Sequence, residues 1–131
     1  MAKRKKKIAK IKPKKVRKKK EWQWKGYIFA AARKTFRWSP AKREALAKAK
    51  FGEFYRCAVC HKYVDEGYAA DHINPVIDPT EGFTTWDNYF NRLFCGADNL
   101  QILCKKDHDI KTKRENSVRR EVKKKKDKVN I

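Results

Sequence analysis

No apolar run reaches the roughly 18 residues that a membrane-spanning helix needs, so a bilayer-embedded chain is not expected. The charged N-terminus leads into no apolar segment either, which argues against a secretory signal peptide. Acids are scarce: 15 Asp and Glu stand against 36 Lys and Arg, for a formal net charge of +21 over 131 residues. There are only 4 cysteines. In a secreted protein they could pair as disulfides. Without a secretion signal, a reducing compartment (the cytoplasm) and a metal-binding role are the expectation. No helix presents a readable pattern of base contacts, so any nucleic-acid binding should tolerate many sequences. The length allows one domain with appendages.

The positive charge is uneven. Residues 1–20 carry 13 Lys/Arg and no acid, whereas residues 51–112 carry 6 bases and 10 acids. Polycationic flanks attract polyanions, and nucleic acid is the commonest of them. An acidic centre repels phosphate unless a divalent cation sits in it. The contrast is a first hint of a metal-dependent enzyme acting on nucleic acid, with no membrane partner.

Residues 1–20 read as a disordered arm, because like charges repel and little apolar surface is present to offset ordering. Residues 21–37 read as a helix of blurred periodicity, with Trp22, Trp24, Phe29, Phe36 and Trp38 placed mostly in the core. Ser39-Pro40 is a helix start, Ser39 capping and Pro40 at the first helical position, and the helix should stop at Gly52. A knuckle follows over 54–64, then a strand over 69–77 ending near Pro75. Residues 78–98 form a long loop holding one helical piece, WDNYFNRLF. A second strand covers 99–104 and a helix 105–122.

Cys57-x-x-Cys60 puts two thiolates on one tight turn, half of a tetrahedral zinc site. Cys104 is the natural third ligand. Asp107 stands in C-x-x-D spacing with it and is the fourth candidate on geometry. Cys95 has the better chemistry, but a straight strand would set it about 30 Å from Cys104. His61, just after the knuckle, reads as a surface residue. In an antiparallel pair the start of one strand lies beside the end of the other. Asp71 and His72 then come near Cys104 and the helix start, so His108 and Asp71 can share one cation. Neighbours 71 and 72 on a straight strand point to opposite faces, so a local twist is needed.

The order D-H, then N-L-Q-I-L-C, then H-x-x-K-T resembles the HNH endonuclease family, with the C-x-x-C ahead as in its zinc-stabilised members. "FRWSPAKREAL" and "DHINPV" resemble small phage members, some encoded near DNA-packaging genes. The resemblance covers residues 57–114 and implies a small α+β fold, a ββα-metal core with flanking helices and a structural zinc. The implied segments are a basic arm (1–20), a helical part (21–53), the nuclease core (54–116) and a basic tail (117–131). It implies His72 as general base, Asn99 orienting it, and Asp71 and His108 holding a catalytic Mg, Mn, Ni or Zn ion. Lys105, Lys106, Lys111 and Lys113 would take phosphates. DNA is the implied partner and terminase or portal proteins the further ones, in a host cytoplasm. Asp107 departs from the family pattern, where cysteine is common. His72→Ala is expected to abolish cleavage with little change in stability.

Overall fold

The computed structural model describes residues 21–130; the basic arm expected at 1–20 lies outside them. The described chain is a small α+β fold of four α-helices and two small antiparallel sheets. Helix α1 (Trp24–Phe36) turns through Trp38 into α2 (Pro40–Ala49). Ser39 caps α2 as its sequence requires: its hydroxyl accepts the Lys42 backbone N–H at 3.3 Å, with Pro40 next in the first turn.

Where helix was expected to run on to Phe51, α2 instead gives way to a three-stranded sheet, β1 (Lys50–Phe51), β2 (Phe54–Arg56) and β3 (Tyr63–Val64), in that order. Gly52, at φ 62, makes the turn from β1 to β2. The second sheet pairs β4 (Ala69–His72) with β5 (Leu100–Leu103), Ala69 opposite Leu103 and His72 opposite Leu100. β4 ends at His72 instead of near Pro75. Between its strands run a loop, α3 (Trp86–Leu93) and a short 3-10 turn (Ala97–Asn99). α3 is the helical piece expected at WDNYFNRLF, capped by the Thr85 hydroxyl, which accepts from the Asn88 N–H at 3.1 Å.

Phe29, Ala32 and Phe36 form one stripe of α1 at helical spacing. They pack with Tyr89 and Leu93 of α3, Ala45 of α2, and Leu100 and Ile102 of β5. Phe29 meets Tyr89 edge-on with ring centroids 4.8 Å apart, and Trp86 lies 4.9 Å from Phe29. The supposedly irregular loop thus supplies the aromatic half of the core. Three tryptophans expected there are elsewhere: Trp22 is 71% exposed, Trp24 45% and Trp38 69%. Trp22 precedes α1, Trp38 sits in the turn after it, and neither belongs to the inward stripe.

Helix α4 (Lys105–Val129) packs its first half on β4 and β5. It runs past the expected end at 122. No glycine or proline follows Gly96, so nothing in the sequence stops it.

Candidate metal and nucleic-acid site

Two groups of polar side chains flank the start of α4. The first belongs to the knuckle. The Cys57 N–H donates to the Lys62 carbonyl at 2.9 Å, and the His61 N–H returns to the Cys57 carbonyl at 3.0 Å. His61 takes a positive φ of 62 to close this loop, and its side chain is exposed, as the sequence suggested. The Ala58 N–H donates to the Ile102 carbonyl at 2.8 Å, tying the knuckle to β5. Cys104 follows β5 as the N-cap of α4, and Asp107 lies in the first turn of that helix.

One ligand atom each from Cys57, Cys60, Cys104 and Asp107 fall within 4.8 Å of one another. Such a group can hold a metal ion. The Cys60 and Cys104 sulfurs are 3.8 Å apart. A tetrahedral zinc with bonds of about 2.3 Å sets neighbouring sulfurs roughly that far apart. Asp107 Oδ2 lies 3.2 Å from both the Cys57 and the Cys104 sulfur. The fourth member of the cluster is therefore Asp107, the candidate that C-x-x-D spacing offered. Cys95 instead packs against the core and lines a recess with Asn74, Asn88 and Asn99.

Charge in this group is tightly shared. Burial pushes the Cys57 thiol up, but the backbone N–H groups of Cys104, Cys60 and Val59 outweigh it and leave its pKa below the ordinary thiol value. At Cys60 the Lys62 N–H draws the pKa down. The Asp107 carboxylate, burial and the other two thiols push harder, to about 11. Asp107 itself is held below the usual carboxylate range by the thiols of Cys104, Cys60 and Cys57 donating to it. Three thiols sharing their protons with one carboxylate form a donor set whose protons a cation can displace.

The second group lies on the other strand. Asp71, His72 and His108 line one cavity of ≈ 450 Å³, together with Lys111, Arg33 and Arg119. Both neighbours line this recess although both lie within β4, paired with Gln101 and Leu100 of β5. Asp71 accepts from Gln101 Nε2 at 3.0 Å and from Lys111 Nζ at 3.1 Å. His108 Nε2 stands 3.9 Å from Asp71 Oδ1. An ion about 2.1 Å from each atom would need them roughly 3–3.5 Å apart. The pair therefore fits an ion after closing by roughly 0.4–0.9 Å, which a 37%-exposed His108 side chain is free to do.

His72 Nε2 lies 2.9 Å from the Leu93 carbonyl, and its ring packs 4.8 Å from that of Phe36. A carbonyl only accepts, so Nε2 carries the proton and Nδ1 is the basic nitrogen. Asn99 is not in this cavity. Its Oδ1 accepts from the Asn74 N–H at 3.0 Å, its Nδ2 donates to the Asn74 carbonyl at 3.3 Å, and its own carbonyl takes the Ile73 N–H at 2.8 Å. It clamps the segment leaving His72.

The lysines divide. Lys105, Lys106 and Lys113 are exposed on α4. Lys111, expected to meet phosphate, instead donates to Asp71, to the His72 carbonyl at 3.0 Å and to Glu115. Burial works against its charge, but Glu115 and Asp71 outweigh that and hold its pKa above the ordinary lysine value. Gln101, Arg33 and Arg119 were not singled out from sequence. Arg119 follows Lys111 and Glu115 at four-residue steps, a signal a helical stripe could have given; Arg33 carried none. Among the described residues no helix is long and apolar enough to cross a membrane. No family model, no curated protein and no solved structure matches the chain.

Proposed function

We propose that this chain is a metal-dependent HNH-type endonuclease that hydrolyses DNA phosphodiester bonds. The observation that carries the reading is the meeting of Asp71, His72 and His108 on one cavity, from stretches of chain far apart in sequence. In this reading β4, β5 and α4 supply the ββα-metal core, and a structural zinc sits at Cys57, Cys60, Cys104 and Asp107.

Phosphodiester hydrolysis needs a nucleophile made from water near neutral pH, and a free imidazole titrates near 6.5. His72, donating through Nε2 to Leu93, keeps Nδ1 for that task. Asp71 and His108 would hold the divalent ion, which neutralises charge on the phosphorane-like transition state and the leaving 3′ oxygen. A mixed nitrogen and oxygen donor set suits Mg, Mn, Ni or Zn. Arg33 and Arg119 give the cavity cationic walls for the scissile phosphate. Asn99 holds the chain beyond His72 and so orients it. The resemblance to phage enzymes extends the proposal to a role beside a terminase or portal protein.

One observation favours a second reading, a zinc-containing module that binds nucleic acid without cutting it. The Lys111 ammonium already neutralises Asp71, so a catalytic ion must displace it. Plasmid relaxation with Mg²⁺, Mn²⁺ or Ni²⁺ separates the two. The wild type should nick or linearise the plasmid, and His72→Ala should not while still binding it. Equal binding with no cutting by either protein would leave the binding module standing. The ring of His72 is hydrogen-bonded and packed on Phe36. Its loss should therefore cost on the order of 1–2 kcal/mol, more than the sequence suggested. Cutting is best measured well below the melting temperature.

A further inference from the structure

A second recess lies apart from the cavity that Asp71 lines. It is an open groove of ≈ 550 Å³ where the end of α2, β1, the knuckle and β5 meet. Two aromatic rings stand in its wall. Phe51 is 69% exposed and Tyr63 is 51% exposed, and their centroids are 5.4 Å apart. Exposed large rings of this kind are costly in water and contribute nothing to the core. Around them the groove carries Lys48, Lys50 and Arg56, and no carboxylate lines it. Lys48 is shared with Glu44 at 3.1 Å on the surface, while Lys50 and Arg56 have no ion pair among the described residues.

We propose that this groove binds an unpaired nucleotide of single-stranded DNA, its base stacked on Phe51 and Tyr63 and its flanking phosphates on Lys50 and Arg56. The inference rests on the nucleic-acid reading above and extends it from where a strand is cut to how it is held. Aromatic faces interleaved with cations along a groove are the means by which proteins hold single strands, because every base has a π-face and every linkage a charge. A base within a duplex is already stacked and offers no face, so the rings select an unpaired one. A recess of this size lies within the usual range for small-ligand sites.

The groove is also joined to the cavity. β5 walls the groove with Leu100, Gln101 and Ile102, and β4 walls the cavity with Asp71 and His72. Gln101 spans the two, lining the groove and donating to Asp71 at 3.0 Å. A strand seated on one side therefore touches the residue that positions the carboxylate on the other.

The test is fluorescence anisotropy of the full chain with a labelled oligothymidine and with a duplex of equal length. Phe51→Ala/Tyr63→Ala should lose roughly five- to hundredfold in single-strand affinity with duplex affinity nearly unchanged. Phe51→Tyr/Tyr63→Phe, which keeps both rings, should bind like the wild type. Photocrosslinking of the wild type to a bromouracil oligonucleotide should place the adduct on Phe51 or Tyr63. An adduct mapped elsewhere, or an equal loss of single-strand and duplex binding, overturns the proposal. So does a concentration-dependent dimer that the double alanine variant abolishes, since the rings would then be covered by a second copy. None of these variants touches His72, Asp71 or His108, so failure here leaves the cleavage reading intact. Absence of plasmid cutting likewise leaves the groove to be judged by anisotropy.

Discussion

Lys111 decides more than its place in the sequence suggested. Its ammonium bridges Asp71 and Glu115 and holds the His72 carbonyl, so it takes a position beside the carboxylate that a divalent ion would also want. Replacing it should sharpen metal binding. Lys111→Met is expected to bind Mn²⁺ several-fold more tightly than wild type in calorimetric titration, since Asp71 is no longer neutralised. Equal affinity would show that the lysine and the ion do not compete. Stability carries the opposite sign. The folded pKa of Lys111 is raised, so its contribution is complete below the ordinary lysine pKa and is lost as pH climbs through the raised one. The melting temperatures of wild type and Lys111→Met should therefore converge in the alkaline range above about pH 10.4. A constant gap would remove the ion pair as its cause. At this scale the meeting of Asp71, His72 and His108 on one cavity was legible, because antiparallel pairing of the two expected strands brings them to the start of one helix. Lys111 was not, because spacing does not say whether a helical lysine turns to solvent or to its own fold. Trp22, Trp24 and Trp38 misled for a related reason: hydrophobicity marks a residue as able to be buried, and only the stripe through Phe29, Ala32 and Phe36 says which ones are.

At the scale of elements, the knuckle ties two sheets to one helix through a handful of side chains. Cys57 is fully buried, and the cluster it shares with Cys60, Cys104 and Asp107 joins β2, β5 and α4. Zinc analysis of the purified chain should give one ion per molecule. Cys95→Ala should keep that ratio, and Asp107→Ala should lower zinc affinity on the order of tenfold or more. Retained zinc in Asp107→Ala with loss in Cys95→Ala would reverse the assignment. Chelation should melt the three-stranded sheet first, since its strands are two or three residues long and below the length that supports itself in water. Such brevity is also why the sheet was not foreseen: alternation cannot be read over two residues. Ser39-Pro40 was legible because capping is local chemistry, whereas the Thr85 cap, the same chemistry, was not singled out. The end of α4 was misplaced because rising charge suggested a tail. Charge alone does not break a helix that lacks glycine and proline.

Across the whole molecule the charge divides into a cationic surround and a centre rich in acids. The first 20 residues carry 13 of the 36 basic side chains. Removing residues 2–20 should weaken DNA binding and flatten the dependence of log K on log salt by several units of slope, since each neutralised phosphate contributes about 0.9. An unchanged slope would make the arm a spacer. The described part ends in α4, whose 25 residues make a rod of about 37 Å. Its first turn holds Asp107 and His108, its middle Lys111 and Arg119, and its far end the lysines at 123–126. If the chain acts on DNA as proposed, one stiff body would work as a ruler. A phosphate gripped by Lys126 would then be held about 27 Å from one poised at His108, close to eight base pairs along a duplex. Lengthening or shortening the rod by whole turns would shift the edge of the protected stretch by a little under two base pairs each time.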